Sequence, residues 1–227
     1  MTRATNARIA GFTFLLYIAA GVLSMVVFGR AAGGTAIAEK LASIAHHSTA
    51  VGWVFVLGLV QSLCAFTLGV TLYALTRDQD PELAMLGLTF RVGEGLVGAS
   101  IPTSLGLLWL ATATGPNALD PSGARVLGAF FLQLGAWHTA TAAFFFAVGS
   151  TLFSWLLLQG RMIPVALAWL GVVASALLVV ILPLQGAGFV RGPIASFVWG
   201  PMAAFEVTLA LWLLVKGVAP PAHRQPT

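Results

Sequence analysis

Residues 9–29 read IAGFTFLLYIAAGVLSMVVFG and contain no charged side chain. A helix needs about 20 apolar residues to cross the ~30 Å hydrocarbon core of a bilayer. Runs of this kind recur between turn residues along the whole chain, so the sequence predicts an all-α, polytopic membrane protein that forms one domain over residues 1–227. The predicted bundle has six transmembrane helices, at about 9–29, 49–76, 82–113, 122–158, 164–187 and 193–217.

The composition agrees with a membrane location. Of the 227 residues, 59% are hydrophobic and only 8% are charged, whereas a soluble domain is about 25% charged. The apolar excess must face lipid, so membrane lipid is a predicted partner. The net charge is +4, but the basic residues stand singly between apolar runs. This argues against nucleic-acid binding, which depends on many clustered phosphate contacts.

The chain has a single cysteine, Cys64, so an intrachain disulfide and a thiolate metal cluster are excluded. Cys64 is expected to be a small buried hydrophobic residue.

The breaks between the apolar runs have helix-start chemistry. Asp80-Pro81 and Asp120-Pro121 each place an aspartate at an N-cap and a proline at the first helical position. Residues 35–48 carry several polar side chains and predict a short helix at the membrane surface.

The basic residues predict the orientation. Under six spans, one side of the membrane receives more of them than the other, which puts both termini in the cytoplasm by the positive-inside rule. The larger group is Arg3, Arg8, Arg77, Arg161, Lys216 and Arg224, and the smaller is Arg30, Lys40, Arg125 and Arg191.

Three ionisable residues from two of the predicted spans are expected near the middle of the bilayer. In the stretch FRVGEG, Arg91 and Glu94 are three residues apart and share one helical face; Glu206 lies in the last span. At 1.5 Å per residue, all three lie ~14–18 Å from the inner ends of their helices, in one layer near the middle of the bilayer. Each would cost roughly 2.5–3.5 kcal/mol if it faced lipid, so they are expected to face inward and to contact one another.

The charge count in this layer does not balance, because one guanidinium faces two carboxylates. The second carboxylate, desolvated and beside a like charge, is expected to keep its proton at neutral pH. Glu94 and Glu206 are therefore the candidate catalytic acids, with Arg91 as the group that holds one of them ionised. The sequence leaves open which one is the acid. The alternative is a structural clamp that ties spans three and six together.

Several further residues are candidates for substrate contact. For Gln61 an interhelical hydrogen bond is the favoured interpretation over a ligand contact. For His138 an interfacial position beside Trp137 is favoured over a proton relay or substrate contact. The adjacent His46 and His47 point in different directions on a helix, so no metal site is predicted there. Nucleotide, serine-hydrolase and zinc-protease motifs are absent from the sequence, so no cofactor is expected. The candidate substrate-binding residues are Gln61, Trp109, Phe131, His138, Phe145 and Trp199.

Four segments resemble a bacterial integral-membrane family catalogued as a domain of unknown function. They are ARIAGFTFLLYIAAG, FRVGEG, GRMIPVALAWLGVVAS and FEVTLALWLLVKG, the last being the most specific. The resemblance implies about six helices, an Arg-x-x-Glu in span three and a Glu in the last span, here Arg91, Glu94 and Glu206. The region around His138 matches the family pattern less well. A multi-pass protein of the bacterial inner membrane is therefore expected, and the resemblance implies no reaction.

The leading functional hypothesis is a membrane-embedded enzyme that protonates a lipophilic substrate drawn from the bilayer. Acid-initiated cyclisation or isomerisation of an isoprenoid is the best example, since it needs a proton donor, aromatic walls and little water. Small membrane-bound terpene cyclases, which also pair intramembrane acidic residues, are a functional analogy only. A proton-coupled transporter or small-molecule sensor with the same midplane site is the alternative, and a structural partner subunit is a third. The oligomeric state is left open.

Overall fold

The computed structural model describes residues 2–100, 103–115, 118–190 and 197–219, which contain helices and no strand. The predicted all-α class is confirmed. In chain order the helices are α1 (Arg3–Ala31), α2 (Ile37–His46), α3 (Ser48–Thr76), α4 (Pro81–Ser100), α5 (Thr103–Thr112), α6 (Pro121–Gln159), α7 (Val165–Gly186) and α8 (Trp199–Val215).

Five helical segments are long and apolar enough to cross a membrane by length and composition: α1, α3, α4 together with α5, α6 and α7. α8 is apolar but shorter, with 17 residues. Large apolar side chains cover the outer surface, and Met25 in α1 is 70% exposed. The chain is therefore a multi-pass membrane protein. The third predicted span contains two helices, α4 and α5, and residues 101–102 between them lie outside the described part of the chain.

Six helices form a closed ring. Each packs against the next in the order α1, α3, α4, α6, α7, α8, and α8 packs against α1 to complete the circle. In this order α4 lies opposite α8. The short helices α2 and α5 are not members of the ring and contact α3 and α6. The ring directs one face of each long helix toward a shared interior.

Both described chain ends lie at the same end of this ring. Arg3 donates a hydrogen bond to Asp78 in the α3–α4 connection at 3.3 Å. The Ala219 backbone N–H donates to the Met162 carbonyl in the α6–α7 connection at 2.9 Å. We call this the terminus-bearing end, made of residues 2–8, 77–80, 160–164 and 216–219. α2 follows the far end of α1 and therefore lies at the opposite end.

Side-chain caps begin α4 and α6 as the sequence predicted. Asp80 Oδ1 accepts from the backbone N–H groups of Glu82 and Leu83 at 3.1 and 3.0 Å. Asp120 accepts from the Ser122 hydroxyl and the Ser122 N–H. These hydrogen bonds lower the pKa of Asp120 below its ordinary value, and the one from the Ser122 hydroxyl has the largest effect.

The predicted surface helix is present as α2. Glu39 in its first turn accepts a hydrogen bond from the Thr35 backbone N–H at 2.8 Å and another from the Ala36 N–H at 3.2 Å. The hydrogen bond from the Thr35 backbone N–H is the main reason why the pKa of the exposed Glu39 carboxyl is lowered. Glu39 thereby satisfies backbone donors that a helix start leaves free.

Small residues allow the helices of the ring to approach closely, as is usual in membranes. A Cβ placed on Gly171 in α7 would lie 2.4 Å from Phe205 Cζ and 2.6 Å from Ser154 Oγ. One placed on Gly11 in α1 would lie 2.6 Å from the Ala210 carbonyl oxygen in α8. Both contacts hold α8 in the ring, so its position depends on glycine in each neighbouring helix.

Candidate functional site

Arg91 lies in the ring interior, fully buried. It is ten residues after the start of α4, which places it ~15 Å along that helix at 1.5 Å per residue. Glycines on both neighbouring helices make room for it. A Cβ on Gly69 in α3 would lie 3.0 Å from Arg91 Cβ, and one on Gly149 in α6 would lie 3.3 Å from Arg91 Cδ. The long side chain is thus led between α3 and α6 into the ring.

The predicted Arg91–Glu94 pair is confirmed. Arg91 Nη1 donates to Glu94 Oε2 at 2.7 Å, and the side chains are 0% and 4% exposed. The second carboxylate oxygen, Oε1, accepts a hydrogen bond from the Tyr17 hydroxyl at 2.6 Å. Tyr17 reaches Glu94 from α1. Both oxygens of Glu94 therefore have short hydrogen-bond partners, one of which is the Arg91 guanidinium.

Aromatic rings surround the Arg91 guanidinium. Its Cζ atom lies 5.1 Å from the centre of the Phe146 ring, 5.7 Å from that of Phe14 and 5.9 Å from that of Tyr17. Cation–π contacts of this length are attractive and strengthen when water is excluded. The rings of Tyr17, Phe146 and Trp199 also follow one another, with successive centroids 6.3 Å apart. We call these three residues the aromatic column.

Glu206 lies across the ring from this group. It is nine residues before the end of α8, ~14 Å from the terminus-bearing end, and is 7% exposed. Its carboxyl is within electrostatic range of Arg91 and Glu94. The expectation that it joins the Arg91–Glu94 pair directly is not met: among the described residues no ion pair within 4.0 Å includes Glu206. The physical reason is that α4 and α8 lie on opposite sides of the ring.

Three buried polar atoms in this layer have no hydrogen-bond partner among the residues that the structure describes. They are Glu206 Oε1 and two nitrogens of Arg91, Nε and Nη2. Buried polar groups are nearly always paired, and each exception calls for an explanation. Here one carboxyl oxygen and two guanidinium nitrogens remain available, while each oxygen of Glu94 has a partner. We call Arg91, Glu94, Glu206 and Tyr17 the charge layer.

A small cavity adjoins the charge layer. Its volume is about 10 Å³, close to the lower limit for a single water molecule. Phe14, which contacts Arg91, is one wall, and two serines of α6 supply the polar surface. The lining residues are Phe14, Leu72, Ser150, Phe153, Ser154, Leu157, Phe205 and Leu209.

The structure brings only part of the predicted substrate-binding set near the charge layer. Trp199 is the outermost ring of the aromatic column and is partly exposed. Gln61 packs its amide against α1, since a Cβ on Gly21 would lie 2.8 Å from Gln61 Nε2. Phe145 lies over Gly93 and Phe90 of α4, on a different face of that helix from the Arg91–Glu94 pair.

The other three predicted contacts lie toward the opposite end of the bundle. Trp109 in α5 is 51% exposed. Phe131 packs over Gly106 of α5, where a Cβ would lie 2.6 Å from its ring. His138 is 21 residues before the end of α6, ~32 Å along it, and its buried Nε2 has no described partner. These residues are not part of the charge layer.

Sequence reasoning missed Tyr17, Phe14 and Phe146. All three lie in apolar runs, where an aromatic residue predicts packing or an interfacial belt. The depth of each residue along its helix was the signal that could have identified Tyr17. Tyr17 is 14 residues into α1 and Glu94 is 13 residues into α4, so both lie ~20 Å from the terminus-bearing end.

The comparisons with known proteins concern the chain as a whole. No curated protein matches it, and no solved structure matches it. Residues 9–217 match the family described as "Domain of unknown function (DUF4386)". This stretch covers all six helices of the ring, with the Arg-x-x-Glu and the last-helix glutamate that the resemblance led us to expect. The chain therefore belongs to the DUF4386 family.

Proposed function

We propose that the charge layer is the proton-binding site of a proton-coupled membrane transporter or small-molecule sensor, and that Glu206 carries the proton. One observation supports this most directly. Glu94 has both oxygens paired, by Arg91 and Tyr17, whereas Glu206 is buried with an unpartnered oxygen.

Charge balance assigns the proton to Glu206. Arg91 and Glu94 neutralise each other at 2.7 Å. A second ionised carboxylate would leave one net negative charge inside the ring, where desolvation and the like charge of Glu94 both oppose it. A protonated Glu206 makes the layer neutral.

Loss of that proton would change the partner of Arg91. The two free guanidinium nitrogens, Nε and Nη2, would then attract an ionised Glu206 across the ring, in competition with Glu94. A guanidinium that has two alternative carboxylate partners is a two-state element of the kind that converts a local charge change into helix movement. This is how we propose that protonation is coupled to a conformational change.

The size of the cavity favours this class over an enzyme acting on a large substrate. Ligand pockets for drug-sized molecules enclose about 300–1,000 Å³, and the cavity beside the charge layer has about 10 Å³. A proton and a water molecule are accommodated in this conformation, whereas an isoprenoid requires the ring to open.

A membrane-embedded enzyme is the second candidate, supported by the aromatic column. In acid-initiated cyclisation or isomerisation, Glu206 gives its proton to a carbon–carbon double bond and a carbocation forms on the substrate. Stacked rings such as Tyr17, Phe146 and Trp199 would stabilise that cation through their π faces. A lipophilic substrate would enter from the bilayer, and Arg91 with Glu94 would hold the acid in place.

We also propose the membrane topology that this site requires. α8, with its 17 residues, is within the range of about 17–25 for a spanning helix, so the ring would contribute six crossings. Arg3, Arg8, Arg77, Arg161 and Lys216 lie toward the terminus-bearing end, which the positive-inside rule places in the cytoplasm. A single domain in the inner membrane of a bacterium is the proposed setting.

Infrared spectroscopy of the protein in nanodiscs tests the assignment of the proton. A carboxylic-acid C=O stretching band is expected at neutral pH, and Glu206→Gln should abolish it because glutamine has no acid group. Glu94→Gln should weaken the band at neutral pH and restore it only at lower pH, because Glu206 then becomes the carboxylate that neutralises Arg91; it should also lower stability, by up to roughly 3 kcal/mol, because Arg91 loses its contacting partner. A neutral-pH spectrum in which Glu206→Gln removes no acid band would refute the proposal.

A second measurement separates the two candidate functions. Lipophilic extracts of the host membrane are compared between cells with the wild-type protein and cells with Glu206→Gln. The transporter or sensor predicts the same polyisoprenoid products in both, while the enzyme predicts a product that only the wild type makes. A product made only by the wild type would favour the enzyme over the transporter or sensor.

A further inference from the structure

We infer that the cavity beside the charge layer is a water site through which the proton of Glu206 reaches the terminus-bearing end of the ring. This inference rests on the proposed function of Glu206 and adds the route and its direction. The route is the cavity itself, whose wall carries two hydroxyl groups. On the α8 side this wall includes Phe205, the residue before the unpartnered acid Glu206.

The direction follows from the positions of the two serines in α6. Ser150 is nine residues before the end of that helix, ~14 Å from it, and is therefore level with Glu206 and Arg91. Ser154 is one turn closer to the end, ~8 Å from it. Both line the cavity. Their hydroxyls thus form a step from the charge layer toward the terminus-bearing end.

The walls of the cavity include residues that contact Arg91 or neighbour Glu206 along α8. Phe14 forms one wall and lies 5.7 Å from the Arg91 guanidinium. Phe205 and Leu209 form another wall, and they flank Glu206 in α8. A water molecule needs two to four polar partners to remain in a buried site. The two serine hydroxyls that line the cavity supply two such partners, and the proposed transfer requires the unpartnered Glu206 oxygen as the third.

One further polar group continues this line on α1. Asn6 lies eight residues before Phe14, on the same face of the helix, and is buried although it is only three residues from the start of α1. An amide there can accept from and donate to water. The proposed route leads from Glu206 through the serine-lined cavity toward the terminus-bearing end, where Asn6 lies.

The exchange reaction along this route is balanced. The Glu206 O–H bond breaks as a proton passes to the cavity water, and that water returns a different hydrogen ion to the same carboxylate. In heavy water the returning ion is a deuteron, so the acid band of Glu206 shifts while the charge of the layer stays the same. The rate of this shift reports how easily water reaches the acid.

The test measures that rate in nanodiscs for three variants. Ser150→Val fills the cavity, and the double variant Ser150→Ala/Ser154→Ala removes both hydroxyls without adding volume. Ser62→Val is the matched control. Ser62 is a buried serine in α3, 14 residues before the end of that helix, so it lies level with Tyr17 and Glu94 and farther from the terminus-bearing end than Glu206. It does not line the cavity.

We expect exchange at Glu206 to slow by about tenfold or more in Ser150→Val and in the double alanine variant, because it must then wait for local opening of the bundle. Ser62→Val should exchange at the wild-type rate. An unchanged rate in both cavity variants, or an equal slowing in Ser62→Val, would overturn the water route. Absence of the Glu206 acid band from the wild type would instead contradict the proposed function, and the route with it.

Discussion

The Tyr17 hydroxyl is the most direct test of the charge layer, because Tyr17→Phe deletes one hydrogen bond and preserves the ring. The bond lost is 2.6 Å long and ends on Glu94 Oε1, in the carboxylate whose other oxygen binds the Arg91 guanidinium. Hydrogen bonds to charged groups contribute about 1.5–3 kcal/mol in soluble proteins. Interhelical hydrogen bonds in a membrane average ~0.6 kcal/mol, with a maximum near 1.7. A short, charge-assisted bond belongs at the upper end, so we expect a loss of about 1–2 kcal/mol in the free energy of unfolding.

The sequence supplies a matched control, since Tyr73 in α3 is its only other tyrosine. It packs against the same hydrophobic core, and the described hydrogen bonds do not include its hydroxyl. Tyr73→Phe should therefore change stability by less than about 0.5 kcal/mol. Reversible unfolding in mixed micelles, or steric trapping in bicelles, measures both variants in the same way.

A double-mutant cycle completes the measurement. If Tyr17 acts through Glu94, then Tyr17→Phe should cost almost nothing further in a Glu94→Met background, because methionine has no side-chain oxygen to accept the hydrogen bond. The coupling energy between the two positions should be close to the full 1–2 kcal/mol. Equal losses in Tyr17→Phe and Tyr73→Phe, or additive effects in the cycle, would refute the claim that the hydroxyl holds the ionised carboxylate.

The remaining predictions concern the guanidinium, the helix contacts and the surface helix. Arg91→Met should lower the free energy of unfolding by roughly 3–5 kcal/mol because it leaves Glu94 buried without a cation; a loss below about 1 kcal/mol would contradict this. Gly171→Ala should cost about 1–3 kcal/mol by overpacking, since its Cβ would meet an aromatic ring at 2.4 Å. Gly52→Ala, whose Cβ would meet nothing within 4 Å, should be neutral or stabilising, and equal losses in the two would show that helix contact is not the cause. Backbone hydrogen bonds lower the pKa of Glu39, so they stabilise the start of α2 at any pH above the ordinary glutamate pKa of about 4.3. This stabilisation is lost as the pH falls from that value through the lowered pKa. Amide exchange there should accelerate below that pH in the wild type and be faster at neutral pH in Glu39→Gln; a start of α2 that responds to neither change would disprove this capping role.

The sequence predicted the helices well because each depends on local information. Apolar length fixed the long helices, and the Asp-Pro pairs fixed where α4 and α6 begin. The surface helix followed from the polar residues between two apolar runs. The order of the ring was not predictable, because six apolar helices of similar composition can be arranged in many circular orders. The order is decided by close contacts such as the one between Gly171 and Phe205.

The sequence predicted the charged residues of the site and not the neutral ones. Arg91, Glu94 and Glu206 stand out because ionisable groups are rare inside a bilayer. Which acid is paired could not be predicted, since this depends on α4 and α8 lying opposite each other. Tyr17 could not be distinguished from an interfacial tyrosine without knowing that α1 faces the same interior as α4. The expected pocket aromatics were spread over both ends of the bundle, because an aromatic residue in an apolar run has many places to pack.

The closure of the ring between the first and last helices has a consequence for biosynthesis. A ribosome makes α8 last, so the helices α1 to α7 enter the membrane as an open arc with a gap between α1 and α7. Arg91, Glu94 and Tyr17 are all present by then, and the contacts that neutralise the arginine form within that arc. Arg91 therefore has its carboxylate partner before α8 is translated. Under the proposed function, Glu206 then enters the membrane without a charge and α8 closes the ring.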